Sequence, residues 1–201
     1  MTMLTSTALS RRARQLAWAT IAWNVIEAVV AITAGAAASS IALVGFGLDS
    51  TVEVLSAVVI LWQLHGLAED RERRALRLIA VSFFALAVYV AVQAIVDLSS
   101  RAQPESAPVG IGLAIASLVV MPILAGAKRR TGRAMGSSTV VADSNQTKLC
   151  AYLSAILLGG LLLNASVGWW WADPLAALAI AVLAVNEGRE AWRGETCDDC
   201  C

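Results

Sequence analysis

Long apolar stretches alternate with short polar segments along almost the whole chain. Each stretch approaches the roughly 20 residues that a helix needs to cross a bilayer. Six of them are present, and they predict six transmembrane helices at 16–36, 40–64, 77–98, 109–127, 139–164 and 171–188. Because the polar segments are too short for another folded domain, the pattern predicts an all-α integral membrane protein.

The composition supports a membrane environment. Hydrophobic residues make up 58% and charged residues 15% of the 201 residues, and the mean hydropathy is +0.70. A soluble domain of this size could not bury so much apolar surface. We therefore expect a multi-pass protein surrounded by lipid, in an inner or plasma membrane.

Basic residues are concentrated in alternate polar segments. They precede the first stretch and recur in 69–77, in 128–133, and at Arg189 and Arg193, whereas the intervening loops contain only Arg101. Positively charged loops of membrane proteins stay in the cytoplasm, so both termini are predicted to be cytoplasmic. Since these charges serve topology, no nucleic-acid partner is expected.

The end of the chain is polar and rich in cysteine. Cys197, Cys200 and Cys201 lie there among acidic residues. Facing a reducing cytoplasm they are expected to be thiols, which could form an accessory site for zinc or cadmium; a plain solvated end is the alternative. The predicted parts are a cytoplasmic N-terminal segment at 1–15, a six-helix transmembrane transport domain at 16–188 and a cytoplasmic Cys-rich tail at 189–201.

Two carboxylates interrupt the second apolar stretch. Asp49 and Glu53 are four residues apart in GFGLDSTVEVLS (45–56), so they share one face of a helix. A charged side chain at the bilayer centre costs at least ~2.5 kcal/mol on insertion scales, and such residues usually serve a function. The pair indicates a cation site within the membrane, with a structural polar pair as the alternative.

A second polar face occurs in the fifth stretch, where Asp143, Gln146 and Cys150 follow i, i+3, i+7 spacing. At 1.5 Å of rise per residue, Cys150 lies roughly 15 Å from the inner end of its helix and Asp49 roughly 14 Å from the outer end of its own. In a core about 30 Å thick these depths coincide. Asp49, Glu53, Gln146 and Cys150 are therefore predicted to converge near the midplane, although Cys150 could instead be a plain core residue.

Other intramembrane polar residues are interpreted as structural. Asn24 and Glu27 are three residues apart on the first helix and are expected to bond neighbouring helices or support the site, with a proton path as the alternative for Glu27. Asp173 followed by Pro174 predicts an N-cap of the sixth helix, with metal contact as the alternative.

Four segments together resemble the transmembrane part of the cation diffusion facilitator, or cation efflux, family. SSIALVGFGLDSTVEVLS (39–56) is similar to the family's second helix and VADSNQTKLCAYLS (141–154) to its fifth. GWWWADPLAALAIAVLAVNEG (168–188) is similar to the sixth, and WNVIEAVVAITAG (23–35) to the first. The order of the four motifs is that of the family.

The resemblance implies a six-helix exporter of divalent cations, usually a homodimer, that exchanges metal for protons. By position, Asp49 and Glu53 match the family's ligand pair on helix two, and Gln146 and Cys150 match the pair on helix five. In zinc-transporting members the latter pair is commonly His and Asp. The His-rich loop of the family is replaced here by KRRTGR (128–133), and its usual cytoplasmic C-terminal domain is not expected.

These departures affect the metal and the proton coupling. Two carboxylates and one thiolate suit zinc or cadmium, with Asp143 or water completing the coordination; zinc is expected first, and cadmium, cobalt and iron stay open. His65 is the only histidine and is placed at the cytoplasmic end of the second helix. Protons would therefore have to compete with metal for Asp49, Glu53 and Cys150.

No enzymatic activity or cofactor is expected beyond a transported divalent metal ion. The sequence contains no Walker loop, Ser-His-Asp set or Gly-rich nucleotide fingerprint. Two other functions stay open: a non-transporting membrane metal sensor or assembly protein, and a secondary transporter of a small organic cation.

Overall fold

The computed structural model describes residues 2–63, 69–101, 103–105 and 107–193, which are almost wholly helical. The helices are α1 (Thr2–Ala38), α2 (Ile41–Gln63), α3 (Glu69–Ser100), α4 (Pro108–Met135), α5 (Ser138–Val167) and α6 (Ala172–Arg193). Each corresponds to one predicted apolar stretch, which confirms the all-α fold. By length and composition, α1 to α5 could each cross a membrane; α6, which includes Asp173, Glu187 and Arg189, does not meet that measure.

Two segments predicted to be basic loops are helical instead. Residues 69–77 begin α3, and residues 128–133 form the last turns of α4. Lys and Arg are good helix formers, so the helix continues until Gly136. Gly136 adopts a φ of 65°, a left-handed conformation that glycine tolerates without steric cost. Ser137 then caps α5 by accepting a hydrogen bond from the Val140 N–H.

The segments with few basic residues lie together at one end of the bundle. The Glu105 N–H donates to the Ala38 carbonyl at 2.9 Å, and the Asn164 side-chain amide donates to the Pro104 carbonyl at 2.9 Å. The loop after α3 therefore contacts the ends of α1 and α5, as the charge alternation predicts. Which end faces the cytoplasm stays a prediction.

Asp173 corrects one sequence prediction. It lies inside the first turn of α6 rather than before it. Its carboxylate accepts hydrogen bonds from the Ser40 hydroxyl at 2.5 Å and from the Ala42 N–H at 3.3 Å. The prediction that Asp173 caps α6 was wrong, because the carboxylate satisfies the N-terminus of α2, where an anion is favourable.

The central helix is α2, which packs against α1, α3, α5 and α6. Gly47 permits its close approach to α1, since a Cβ there would lie 2.8 Å from Ile32 Cγ1. Large apolar side chains such as Val88 and Ile123 are exposed around the bundle, as lipid contact requires. This arrangement turns the inner face of α2 towards α5.

Candidate cation site between α2 and α5

The two carboxylates of α2 are inside the bundle. Asp49 is 5% exposed and Glu53 is 3% exposed. Neither carboxyl oxygen of Glu53 has a hydrogen-bond partner among the described residues. A buried carboxylate is costly unless donors or a cation compensate its charge. Glu53 is therefore the clearest sign that a cation can be bound here.

The facing donors of α5 lie at the same interface. The Ser56 hydroxyl donates to Gln146 Oε1 at 2.8 Å, which joins α2 to α5. Gln146 Nε2 is buried and has no partner in the described part of the chain. Cys150 is buried and lies within electrostatic range of Asp49 and Glu53. The structure thus brings the α2 pair and the α5 pair to one interface.

These groups are not gathered around a single point in this conformation. Within the described residues, no three His, Cys, Asp or Glu side chains are close enough together to hold one metal ion. A four-coordinate zinc site requires its oxygen and sulfur ligands within ~2.0–2.3 Å of the ion. Side chains or helices would therefore have to move before a metal could be bound by Asp49, Glu53 and Cys150 together, and the ligand set stays a prediction.

The carboxylate of Asp143 already forms an ion pair with a lysine. Its Oδ2 lies 2.7 Å from Lys128 Nζ, and both side chains are buried. Lys128 belongs to KRRTGR (128–133), which the sequence predicts to be a basic loop whose charge serves topology. The sequence pattern does not predict this ion pair. Until the packing of α4 against α5 is known, a buried lysine looks the same as its exposed basic neighbours.

Glu27 of α1 is completely buried at a junction of four helices. It accepts hydrogen bonds from Ser50 of α2 at 2.9 Å and from Ser117 of α4, and the Cys150 sulfur of α5 lies 3.9 Å from its carboxylate. Trp23 donates to the Ser117 hydroxyl at 3.1 Å. This network agrees with the structural interpretation of Glu27.

Two other polar groups border the site. Asn24 lies near Glu53, but its amide donates to the Thr20 carbonyl and no contact with Glu53 has hydrogen-bond geometry. Asn24 Oδ1 has no partner in the part of the chain that the structure describes. Glu187 of α6 lies within electrostatic range of Asp49 and Glu53. Glu187 was not predicted as a site residue, because it lies at the end of the last apolar stretch, next to Gly188, and resembles a solvated helix end.

The predicted accessory site cannot be placed in the fold. Cys197, Cys200 and Cys201, and likewise His65, lie outside the described residues.

Comparison with known proteins identifies the family. Residues 75–193, more than half of the chain, match the family model of the cation efflux transmembrane domain. The match comprises α4 to α6 and most of α3. The α2 carboxylates precede it.

Three relatives extend the comparison. Transmembrane protein 163 of Xenopus laevis is 26% identical over 183 residues, which cover 89% of this chain and 65% of the relative. An uncharacterized transporter of Synechocystis is 27% identical over 165 residues, covering 77% of this chain and 53% of that protein. Cation-efflux pump FieF of Shewanella oneidensis is 36% identical over 77 residues, covering 38% of this chain and 26% of the pump. This chain thus spans less than two thirds of the length of each relative.

The helical fold, the apolar spans and the match over α3 to α6 lead to one conclusion. The chain is a multi-pass membrane protein that belongs to the cation efflux transmembrane domain family, a family of transporters rather than enzymes.

Proposed function

We propose that this chain transports divalent heavy-metal cations, with zinc as the first candidate and cadmium, cobalt and iron as others. Transport would be export from the cytoplasm in exchange for protons. The single observation on which the proposal rests is Glu53, a buried carboxylate without a hydrogen-bond partner among the described residues. Membership of the cation efflux family supports a cation as the missing partner.

The proposed ligands are Asp49, Glu53, Gln146 and Cys150. Two carboxylates and a thiolate match the preference of zinc and cadmium for mixed oxygen and sulfur donors. The amide of Gln146 is a weak ligand, so water would complete the coordination once the other groups have moved together. Asp143 could join only by leaving Lys128, which lies 2.7 Å away.

Proton exchange follows from the chemistry of these donors. Carboxylate and thiolate groups must be deprotonated to coordinate a metal ion, and the described part of the chain offers no imidazole at this interface. Metal and protons would therefore occupy the same groups in turn. We further propose a homodimer, as the family resemblance implies.

The decisive experiment is metal uptake into sealed proteoliposomes with zinc, cadmium and manganese under an imposed pH gradient. Asp49→Asn and Glu53→Gln remove one charge each while nearly preserving side-chain volume. Each should abolish uptake and weaken binding at least about tenfold, since even the removal of an outer-shell partner costs ~10–100-fold. Glu105→Gln, which removes an exposed loop carboxylate, should leave uptake unchanged. Parental uptake in both α2 variants would refute the proposal.

Metal affinity should depend on pH. As pH falls, protons compete with the metal for Asp49, Glu53 and Cys150, so affinity should decrease from neutral to acidic pH. Isothermal titration of the detergent-purified protein measures this directly. Affinity that does not change with pH would contradict proton exchange while leaving metal binding intact.

A further inference from the structure

Lys128 is a charged side chain in the interior of the α4–α5 pair. It is 1% exposed. Its Nζ lies 2.7 Å from Asp143 Oδ2 and donates to Thr147 Oγ1 at 2.9 Å. The Thr147 hydroxyl donates in turn to the Asp143 carbonyl at 3.1 Å. The ammonium group is thus fixed by two partners on α5.

This lysine lies close to the candidate cation site. Its anchor Asp143 is on the same face of α5 as Gln146 and Cys150. Lys128 and Asp143 are both within electrostatic range of Glu53, whose two carboxyl oxygens have no hydrogen-bond partner among the residues described. A fixed positive charge therefore lies within electrostatic range of Glu53, one of the groups that would receive a metal.

Stability does not by itself explain a buried lysine here. The desolvation of two charges often cancels their attraction, so a buried ion pair frequently contributes no more than apolar residues of the same size. The pair does change the donors available to a metal. With Lys128 in place, the charge of Asp143 is compensated; without it, Asp143 would be an unpaired third carboxylate within electrostatic range of Glu53.

The number of carboxylates at a site affects which metal it prefers. Hard ions such as manganese favour several oxygen donors, whereas cadmium and zinc accept thiolate readily. We propose that Lys128 is a specificity-determining residue: it holds Asp143 away from the metal, so that the site presents two carboxylates and a thiol instead of three carboxylates and a thiol. This inference rests on the proposed function, because it concerns the same site.

The test compares manganese and cadmium binding by isothermal titration of the full chain. Lys128→Met removes the charge and keeps a flexible apolar side chain. Asp143 is then released, and affinity for manganese should rise at least about tenfold relative to cadmium, the scale on which neighbouring groups tune metal sites. In Lys128→Met combined with Asp143→Asn, no third carboxylate is present, so the parental ratio should return. An unchanged ratio in folded Lys128→Met would overturn the proposal.

Asp143→Asn keeps the test valid if the lysine variant fails to fold. Because Asp143 is not a ligand in the parent, its loss should leave the ratio of manganese to cadmium affinity unchanged, even though a lone ammonium lowers both affinities. A selective loss of manganese binding would show that Asp143 already coordinates the metal, which contradicts the proposal.

The two proposals can fail separately. If Asp49→Asn and Glu53→Gln bind metal as the parent does, the α2–α5 site itself is wrong. If those variants lose binding and Lys128→Met keeps the parental ratio, only the role of Lys128 is wrong.

Discussion

At the residue scale, the buried polar groups fall into two kinds. Glu27 and Asp173 have their hydrogen bonds largely satisfied by neighbouring helices. Glu53 and the Gln146 amide nitrogen have no partner within the described residues. Satisfied groups hold helices together, whereas unsatisfied ones cost free energy that only a ligand, a proton or a rearrangement removes. Function is therefore expected at the second kind.

Cys150→Ser should separate soft from hard metals. A hydroxyl replaces a thiol of similar size, and it is a poorer ligand for soft ions. Cadmium binding should weaken more than manganese binding in isothermal titration. Cys197→Ser, which removes a tail thiol and leaves Cys150 in place, is the control. If Cys197→Ser loses more cadmium affinity than Cys150→Ser, the soft-metal site lies in the tail and not between α2 and α5.

Asp173→Ala should destabilise the bundle. The change leaves the Ser40 hydroxyl and the Ala42 N–H without their acceptor at the start of α2. The loss of a helix cap costs about 0.5–2 kcal/mol, which denaturant unfolding in detergent can measure. Asp97→Ala, at the partly exposed end of α3, should change stability less. Equal effects would mean that the cap contributes nothing.

At the element scale, the position of α2 depends on the helices packed around it. It packs mainly against α1, α3, α5 and α6, and its glycines let the neighbouring helices approach. Small residues have this role in membrane helices, where packing replaces the hydrophobic effect as the driving force. Because Asp49 and Glu53 follow Gly47 on the same helix, the α1–α2 distance also sets how deeply these carboxylates are buried.

Gly47→Ala should therefore loosen α1 from α2. The added Cβ would lie 2.8 Å from Ile32 Cγ1 and 3.0 Å from the Ile32 backbone nitrogen, and a backbone atom cannot yield easily. The variant should unfold at lower denaturant than the parent. Gly159→Ala is a matched control, since a Cβ there meets nothing within 4 Å. In the control the better helix propensity of alanine should hold or raise stability, so a comparable loss would refute the packing argument.

At the scale of the whole molecule, the loops are sorted between the two ends of the bundle. The segments after α1, α3 and α5 lie together, and the basic last turns of α4 lie at the opposite end. The charge asymmetry predicts that the basic end faces the cytoplasm. Export would then require the α2–α5 site to open alternately to each end.

Cysteine labelling tests this topology. In a cysteine-free background, Gln103→Cys and Ser166→Cys should react with a membrane-impermeant reagent from outside the cell. Ala134→Cys, beside the α4–α5 turn, should react only from the cytoplasm. All three positions are exposed in the structure. Labelling of Ala134→Cys and Gln103→Cys from the same side would overturn the predicted orientation.

The amino-acid sequence by itself determined the helices and their number, because apolar length is a local property of the chain. The depths that a fixed rise per residue assigns to Asp49 and Cys150 stay a prediction. The spacing of Asp143, Gln146 and Cys150 sufficed to assign them one face of α5. The family resemblance, stated from four motifs, was confirmed by the match over residues 75–193.

Only the tertiary structure decided which of these groups have partners. The ion pair of Lys128 with Asp143, the capping of α2 by Asp173 and the four-helix network of Glu27 each join different helices. A hydrogen bond or ion pair forms over about 3 Å, a distance that depends on helix rotation and packing. Periodicity along one helix gives no information about helix rotation and packing. For this reason Lys128 was predicted to be a loop residue, and Glu187 was not predicted to lie near the site.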